Sequence, residues 1–128
     1  MTEVIVVCAA IIEDGARFLI SRRQAGVHLE GYWEFPGGKC EKGETLHACL
    51  ARELREELGV GAEVGEELLS TTHVYSERTV ELHFLRSRVI GKPVPQVGQE
   101  LRWASLQELR HLEFPPADLR LIQMLTRK

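Results

Sequence analysis

The chain contains no apolar stretch long enough to cross a bilayer as a helix. Its longest uninterrupted apolar run, Val4–Ile12, is well short of the roughly 20 residues a spanning helix needs. The start of the chain carries neither a basic leader nor a small-residue cleavage site, so a cytoplasmic protein with no membrane partner is expected. Cysteine is sparse: Cys8, Cys40 and Cys49 are the three, none in Cys-x-x-Cys spacing. That pattern signals neither a zinc site nor a disulfide framework, and three reduced, partly buried thiols are expected. There is no excess of positive charge, with 16 Lys and Arg against 19 acids and a net charge of −3. A nucleic-acid polymer as partner is therefore disfavoured. Aspartate is almost missing, since only Asp14 and Asp118 stand among the 19 acids. No repeat, low-complexity tract or linker divides the 128 residues, which read as a single domain over 1–128 with enough apolar content for its own core. A monomer is the expected state.

The charge that is present is unevenly placed. Residues 30–67 hold ten Glu against four Lys and Arg, while the flanks are mildly basic. Val4–Ile12 reads as a buried strand, the Asp14-Gly15 turn leads into a second strand at Arg17–Arg22, and the two form a hairpin. Residues 24–43 are dense in glycine and read as a long shaped loop with a short strand around Trp33. Thr45 to Leu58 reads as a helix, with Leu46, Leu50, Leu54 and Leu58 forming an apolar stripe, Thr45 as N-cap and Gly59 as the C-terminal stop. Val60–Val74 and Val80–Ile90 read as strands around a Ser76-Glu77 turn, Leu101–Ala104 as a short strand, and Ala117–Thr126 as a closing helix after Pro115-Pro116. This order implies a layered α+β or α/β domain with a mixed sheet.

The second face of the central helix carries Glu53, Glu56 and Glu57 at i, i+3 and i+4. These spacings bring three carboxylates to one side, where they repel unless a cation intervenes. A solvated polar face is one reading; a site for Mg²⁺ or Mn²⁺, which favour hard oxygen ligands, is the other. The segment ahead of the helix favours the second. Gly37-Gly38 permits close backbone approach, and from Gly38 the chain runs five residues to Glu44 and seven more to Arg52-Glu53-Leu54-Arg55-Glu56-Glu57-Leu58-Gly59-Val60. This resembles the Nudix box at every fixed position. Arg22-Arg23, His28, Trp33-Glu34-Phe35-Pro36-Gly37-Gly38-Lys39 and Phe114-Pro115-Pro116-Ala117-Asp118 resemble the MutT-like branch of that family.

The resemblance implies an α+β Nudix fold, a mixed sheet sandwiched between helices, with the box as loop-helix-loop. It also implies a metal-dependent pyrophosphohydrolase that converts a nucleoside triphosphate and water to the monophosphate and pyrophosphate. The expected cofactor is Mg²⁺, with Mn²⁺ possible. Carried over by position, Gly37 offers a carbonyl to a metal, and Glu53, Glu56 and Glu57 hold metal, Glu57 foremost. Glu53 is also the candidate general base. Arg52 orients the glutamates, Glu44 pairs with Arg52 or supports the loop, and Lys39 stabilises leaving-group charge. Gly38 lies against the substrate and Arg23 binds phosphate. His28, Glu34, Phe35, Arg78 and Asp118 are the candidates for the base pocket, with one of Trp33 and Phe35 buried and the other stacking on the base. In one place the chain departs from the branch: Val97 stands where a further glutamate is common, so either Glu100 replaces it or the helix ligands act alone.

Asp118 bears on the choice of base. The branch commonly has asparagine here, which both donates and accepts; an ionised aspartate only accepts. It suits the cytosine amine, and it faces guanine O6 only if protonated, as a nearby Glu34 would favour. Helix capping is the alternative role. The leading expectation is removal of oxidised nucleotides such as 8-oxo-dGTP from the pool. CTP or 5-methyl-dCTP hydrolysis, or a Nudix nucleotide sensor without turnover, are the alternatives.

Overall fold

A computed structural model describes residues 3–26 and 30–127. The long first strand, β1 (Glu3–Asp14), organises the molecule because its side chains alternate between two buried faces. Ala9 and Ile11 enter one core with Phe18 and Ile20 of β2 (Arg17–Arg22). Cys8, Ala10 and Ile12 enter the other with Leu19 of β2. A strand buried on both faces reads as a continuous apolar run, which is why Val4–Ile12 shows no alternation in sequence.

The remaining strands are β3 (Trp33–Glu34), β4 (Gly37–Lys39), β5 (Gly61–Val74), β6 (Arg78–Ile90) and β7 (Glu100–Ser105). The sheet order is β3-β2-β1-β6-β5, with β4 also paired to β1 and β7 to β2. β1 and β6 are parallel and the other pairings antiparallel, so the sheet is mixed as expected. β4 was not foreseen. Its three residues, Gly-Gly-Lys, carry no pattern, and they become a strand only because β1 offers a free edge.

Helix α1 (Leu46–Leu58) covers one face with Cys49, Leu50, Leu54 and Leu58. The Thr45 side chain accepts the Ala48 N–H at its start, and Gly59 ends it with φ 68°, a left-handed conformation that a side chain would strain. The opposite face is covered by α2 (Leu106–His111) and α3 (Pro116–Thr126), which contribute Leu109, Leu121 and Ile122. Sequence reading missed α2, although Ser105 and Glu108 form the reciprocal capping box that marks such a start. Among the described residues no helix is long and apolar enough to cross a membrane.

The cysteines depart from expectation. Cys40 and Cys49 are joined as a disulfide, and Cys8 is a free, buried thiol beside them. Their separations in sequence gave no hint of this, because the β1–β4 pairing and the docking of α1 create the proximity.

Candidate active site

The site forms where β4 and the C-terminal half of α1 meet the parallel β1–β6 pair and the start of α3. β4 positions the loop glycines by pairing Cys8 with Gly38 and Ala9 with Gly37. Both glycines are required by space. Gly37 has φ 156°, and a Cβ there would collide with the Cys8 carbonyl. A Cβ on Gly38 would collide with the Glu53 carboxylate.

Arg52 is the hub of the loop-helix junction. Its Nε and Nη2 donate to the two oxygens of Glu44 at 2.7 and 3.0 Å, a bidentate pairing that fixes both planes. Nη2 also donates to the Lys39 carbonyl at 3.1 Å. Nη1 donates to Glu53 at 3.0 Å and to Glu56 at 3.3 Å. One guanidinium thus ties Glu44, the end of β4 and two box glutamates together. Arg52 holds the Glu44 carboxyl down to about 2, chiefly through these hydrogen bonds, with the Glu41 N–H assisting.

Glu57 lies in the opposite situation. Its carboxyl is pushed up to about 8, first by burial and then by the charges of Glu53 and Glu34. It is hydrogen-bonded to Glu53, and the Gly37 backbone N–H pulls in the other direction without prevailing. Arg52 reaches Glu53 and Arg23 reaches Glu34, yet Glu57 stays raised between them. An all-oxygen donor set of this kind fits a hard divalent cation, with Glu53, Glu57 and the Gly37 carbonyl as the candidate ligands. Glu56 lies further out, more than half exposed against Arg52.

A cavity of about 400 Å³ opens beside Glu57 and is lined by Gly37, Gly38, Arg23, Glu34, Phe35 and Asp118, among others. It gathers five of the seven sequence-predicted substrate residues. Arg23 Nη1 pairs with Glu34 at 2.9 Å. The Glu34 carboxyl is raised by burial, against the pull of Arg23. Asp118 is only 7% exposed, and its carboxyl is pushed up to about 7 by burial and then by Glu34. It does not cap α3, whose N-cap is Pro115 with no side-chain hydrogen bond.

Three expectations need correction. Arg78 is not among the residues lining this cavity; it stands exposed at the start of β6, where its carbonyl accepts the Tyr75 N–H in the β5–β6 turn. The expectation of one buried and one free ring changes: Trp33 and Phe35 are both buried, and Phe35 is the one that lines the cavity. Phe35 stacks on Phe114 at 5.3 Å and meets Phe84 edge-on, while the guanidinium groups of Arg22 and Arg102 lie 5.7 and 5.8 Å from the centre of the Trp33 ring. Nor does Glu100 replace the glutamate missing at Val97: it turns to Arg22, 3.6 Å away, and is mostly exposed. His28 lies outside the described residues. Lys39 contributes its carbonyl to Arg52, and its side chain is exposed.

One neighbour of the site escaped sequence reading. Gln99 is buried, donates to the Glu57 carbonyl at 2.8 Å and receives the Val97 N–H. With Gln96, whose N–H reaches the same carbonyl at 2.9 Å, it ties the loop before β7 to the end of α1. A smaller cavity of about 170 Å³ joins Gln99 and Val97 to Glu57, Glu34 and Arg23. A glutamine beside Gly98 carries no distinguishing signal in the sequence.

Comparison with known proteins agrees with this geometry. Residues 7–124 match the NUDIX domain family. The chain is 38% identical over 122 residues to a CTP pyrophosphohydrolase of Escherichia coli, covering 94% of this chain and 90% of that one. It is 36% identical over 118 residues to the 8-oxo-dGTP diphosphatase of the same organism, covering 91% and 92%. Among solved structures, the E. coli ORF135 protein superposes with a TM-score of 0.87 at 38% identity, covering 97% of this chain and 89% of that one. The MutT protein of methicillin-resistant Staphylococcus aureus superposes at 0.79 with 35% identity, covering 98% and 97%. With a matching fold, an intact box and relatives of this identity over nearly its whole length, the chain belongs to the NUDIX hydrolase family.

Proposed function

We propose that this chain is a metal-dependent nucleoside triphosphate pyrophosphohydrolase, with Mg²⁺ as its cation and 8-oxo-dGTP as its preferred substrate. The observation that carries the reading is the polarity of the cavity. Crowded box carboxylates stand at one end, and a second carboxyl pair, half-buried Glu34 and buried Asp118, stands at the other. A divalent cation held by Glu53, Glu57 and the Gly37 carbonyl supplies the positive charge that lets a triphosphate approach these carboxylates. The protein groups do the rest. Arg52 holds Glu53 in place by a charge-assisted hydrogen bond. Glu53 accepts a proton from the attacking water as general base. Arg23, which lines both cavities, is the proposed phosphate ligand. Lys39 is left to offset leaving-group charge from its exposed loop position.

At the base end, a carboxyl pushed up to about 7 retains its proton for part of the population at neutral pH. A protonated Asp118 donates to a purine O6 while its other oxygen accepts a neighbouring N–H. Glu34 accepts a further N–H. This supports the oxidised-guanine reading. A second reading, CTP hydrolysis, is favoured by the 38% identity to a CTP pyrophosphohydrolase and requires Asp118 to be ionised so that it accepts from the cytosine amine. Pyrophosphate release with Mg²⁺ over a panel of 8-oxo-dGTP, dGTP, CTP and 5-methyl-dCTP tests the proposal. Highest kcat/KM on 8-oxo-dGTP supports it, highest kcat/KM on a cytosine nucleotide transfers the assignment to the second reading, and no turnover on any of them leaves a nucleotide sensor. The monomeric state and the single-domain organisation belong to the same proposal.

A further inference from the structure

Behind the box, on the side of the sheet that α1 covers, three side chains converge that the site above does not use. Cys8 comes from β1, Cys40 follows β4 directly, and Cys49 lies on the inner face of α1, one turn before Glu53. Their sulfur atoms all lie within 4.8 Å of one another. Cys40 and Cys49 are joined as a disulfide, yet Cys8 Sγ lies 2.8 Å from Cys40 Sγ and 3.1 Å from Cys49 Sγ. A disulfide employs two sulfurs and gives no reason for a third to sit against both. Cys8 and Cys49 are fully buried and Cys40 is reached from solvent. The triangle is set by the fold itself, through the pairing of Cys8 with Gly38 and the packing of α1 on β1.

We propose that, with the disulfide reduced, Cys8, Cys40 and Cys49 form a trithiolate site for one soft, thiophilic ion of the copper(I) class. Soft thiolate donors select such ions over the hard cation that the box glutamates suit. Zinc(II) in a structural site takes four ligands, and no fourth His, Cys, Asp or Glu joins the group among the described residues. Two backbone carbonyls lie near the sulfurs: that of Leu46 is 3.7 Å from Cys8 Sγ, and that of Gly38 is 4.0 Å from Cys49 Sγ. Entry to the site requires a dithiol reductant, which passes two electrons and two protons to the Cys40–Cys49 bond and is itself oxidised to a disulfide. The ion then displaces the thiol protons to solvent, so occupancy rises with pH. The disulfide and the metal-bound state are alternatives, and each ties the end of the box loop to α1.

The test is a titration of the dithiol-reduced, desalted full chain with copper(I) under anaerobic conditions against a chromophoric copper(I) chelator. Ultraviolet thiolate-to-copper absorbance and bound copper per chain are the readouts. The expected result is one equivalent bound by the reduced chain and none by the disulfide form. Cys8→Ser, Cys40→Ser and Cys49→Ser should each weaken binding at least about tenfold, the order of effect seen on disturbing a metal's surroundings. Circular dichroism shows that each variant is folded, and Cys8→Ala replaces Cys8→Ser if the buried hydroxyl prevents folding. Binding by reduced wild type no tighter than by the triple serine variant overturns the proposal. So does wild-type affinity in a folded Cys8 variant, or retention of zinc(II) in preference to copper(I).

Discussion

Two carboxylates of the box, Glu44 at the loop end and Glu57 near the end of α1, are treated by the protein in opposite ways. Glu44 is neutralised from within by a bidentate guanidinium and is held down to about 2. Glu57 is half-buried with Glu53 and Glu34 around it and is pushed up to about 8. The first is complete without a ligand and fixes the loop to the helix. In the proposed reading the second is complete only when a cation arrives from outside. Charge alone does not separate the two: Arg52 pairs bidentately with Glu44 and reaches Glu53 with one further donor, whereas Glu57 is raised by burial and by its carboxylate neighbours.

Substitutions on the two sides should diverge. Glu57→Gln keeps the shape and removes a ligand charge, and turnover should fall by several orders of magnitude with the fold retained. Glu44→Gln disturbs a supporting contact, and its loss should be about 10–100-fold in kcat, accompanied by a lower Tm. Steady-state pyrophosphate release and thermal melts on both variants check this. Equal activity losses would dissolve the distinction.

The base end should show a smaller effect, of a sign that depends on the nucleotide. If Asp118 accepts from a cytosine amine, Asp118→Asn should cost CTP hydrolysis about 1–3 kcal/mol, the usual cost of spoiling a buried polar pairing. If it donates to an oxidised guanine, the same change should be tolerated. Wild-type activity on 8-oxo-dGTP should then fall as pH rises through about 7, and the variant should lose that limb because an amide donates at any pH. Rate profiles of both proteins from pH 6 to 9 on both substrates distinguish the outcomes.

Smallest should be the effect on stability without metal. Glu57 and Asp118 are both raised above their unfolded values. Between the unfolded and folded pKa the native state holds more protons than the unfolded chain, so stability falls as pH rises. For Asp118 the loss runs from about 4 to about 7, and for Glu57 from about 4.5 to about 8. The Glu44 contribution has the opposite sign: it is present above the ordinary carboxylate range and is lost as pH falls toward 2. Chelator-treated protein should therefore melt at lower temperature at pH 8 than at pH 6.

Much of this was legible in the sequence for a physical reason. The α1 helix announces itself through local signals: a leucine stripe, the Thr45 cap and the Gly59 stop. The same signals place Arg52, Glu53, Glu56 and Glu57 on its outer face. What depends on distant chain segments was not legible. The convergence of the three cysteines requires β4 to pair with β1, and the contact of Gln99 with Glu57 requires the β7 loop to fold back on α1. Arg78 was misplaced because a turn arginine reads the same whether or not it faces the cavity. Phe35 and Trp33 are both buried because two other aromatics and two arginines cover them, which their neighbours in sequence do not disclose.

The claim that the Glu57 cluster awaits an external cation is tested most directly by thermal melts of wild type and Glu57→Gln at pH 8, with chelator and with rising Mg²⁺. The account predicts that Mg²⁺ raises the Tm of wild type by binding the native state. It also predicts that Glu57→Gln melts higher than wild type without metal, because one crowded charge is gone, and responds little to Mg²⁺. Equal metal responses in the two proteins, or no response in wild type, would contradict it.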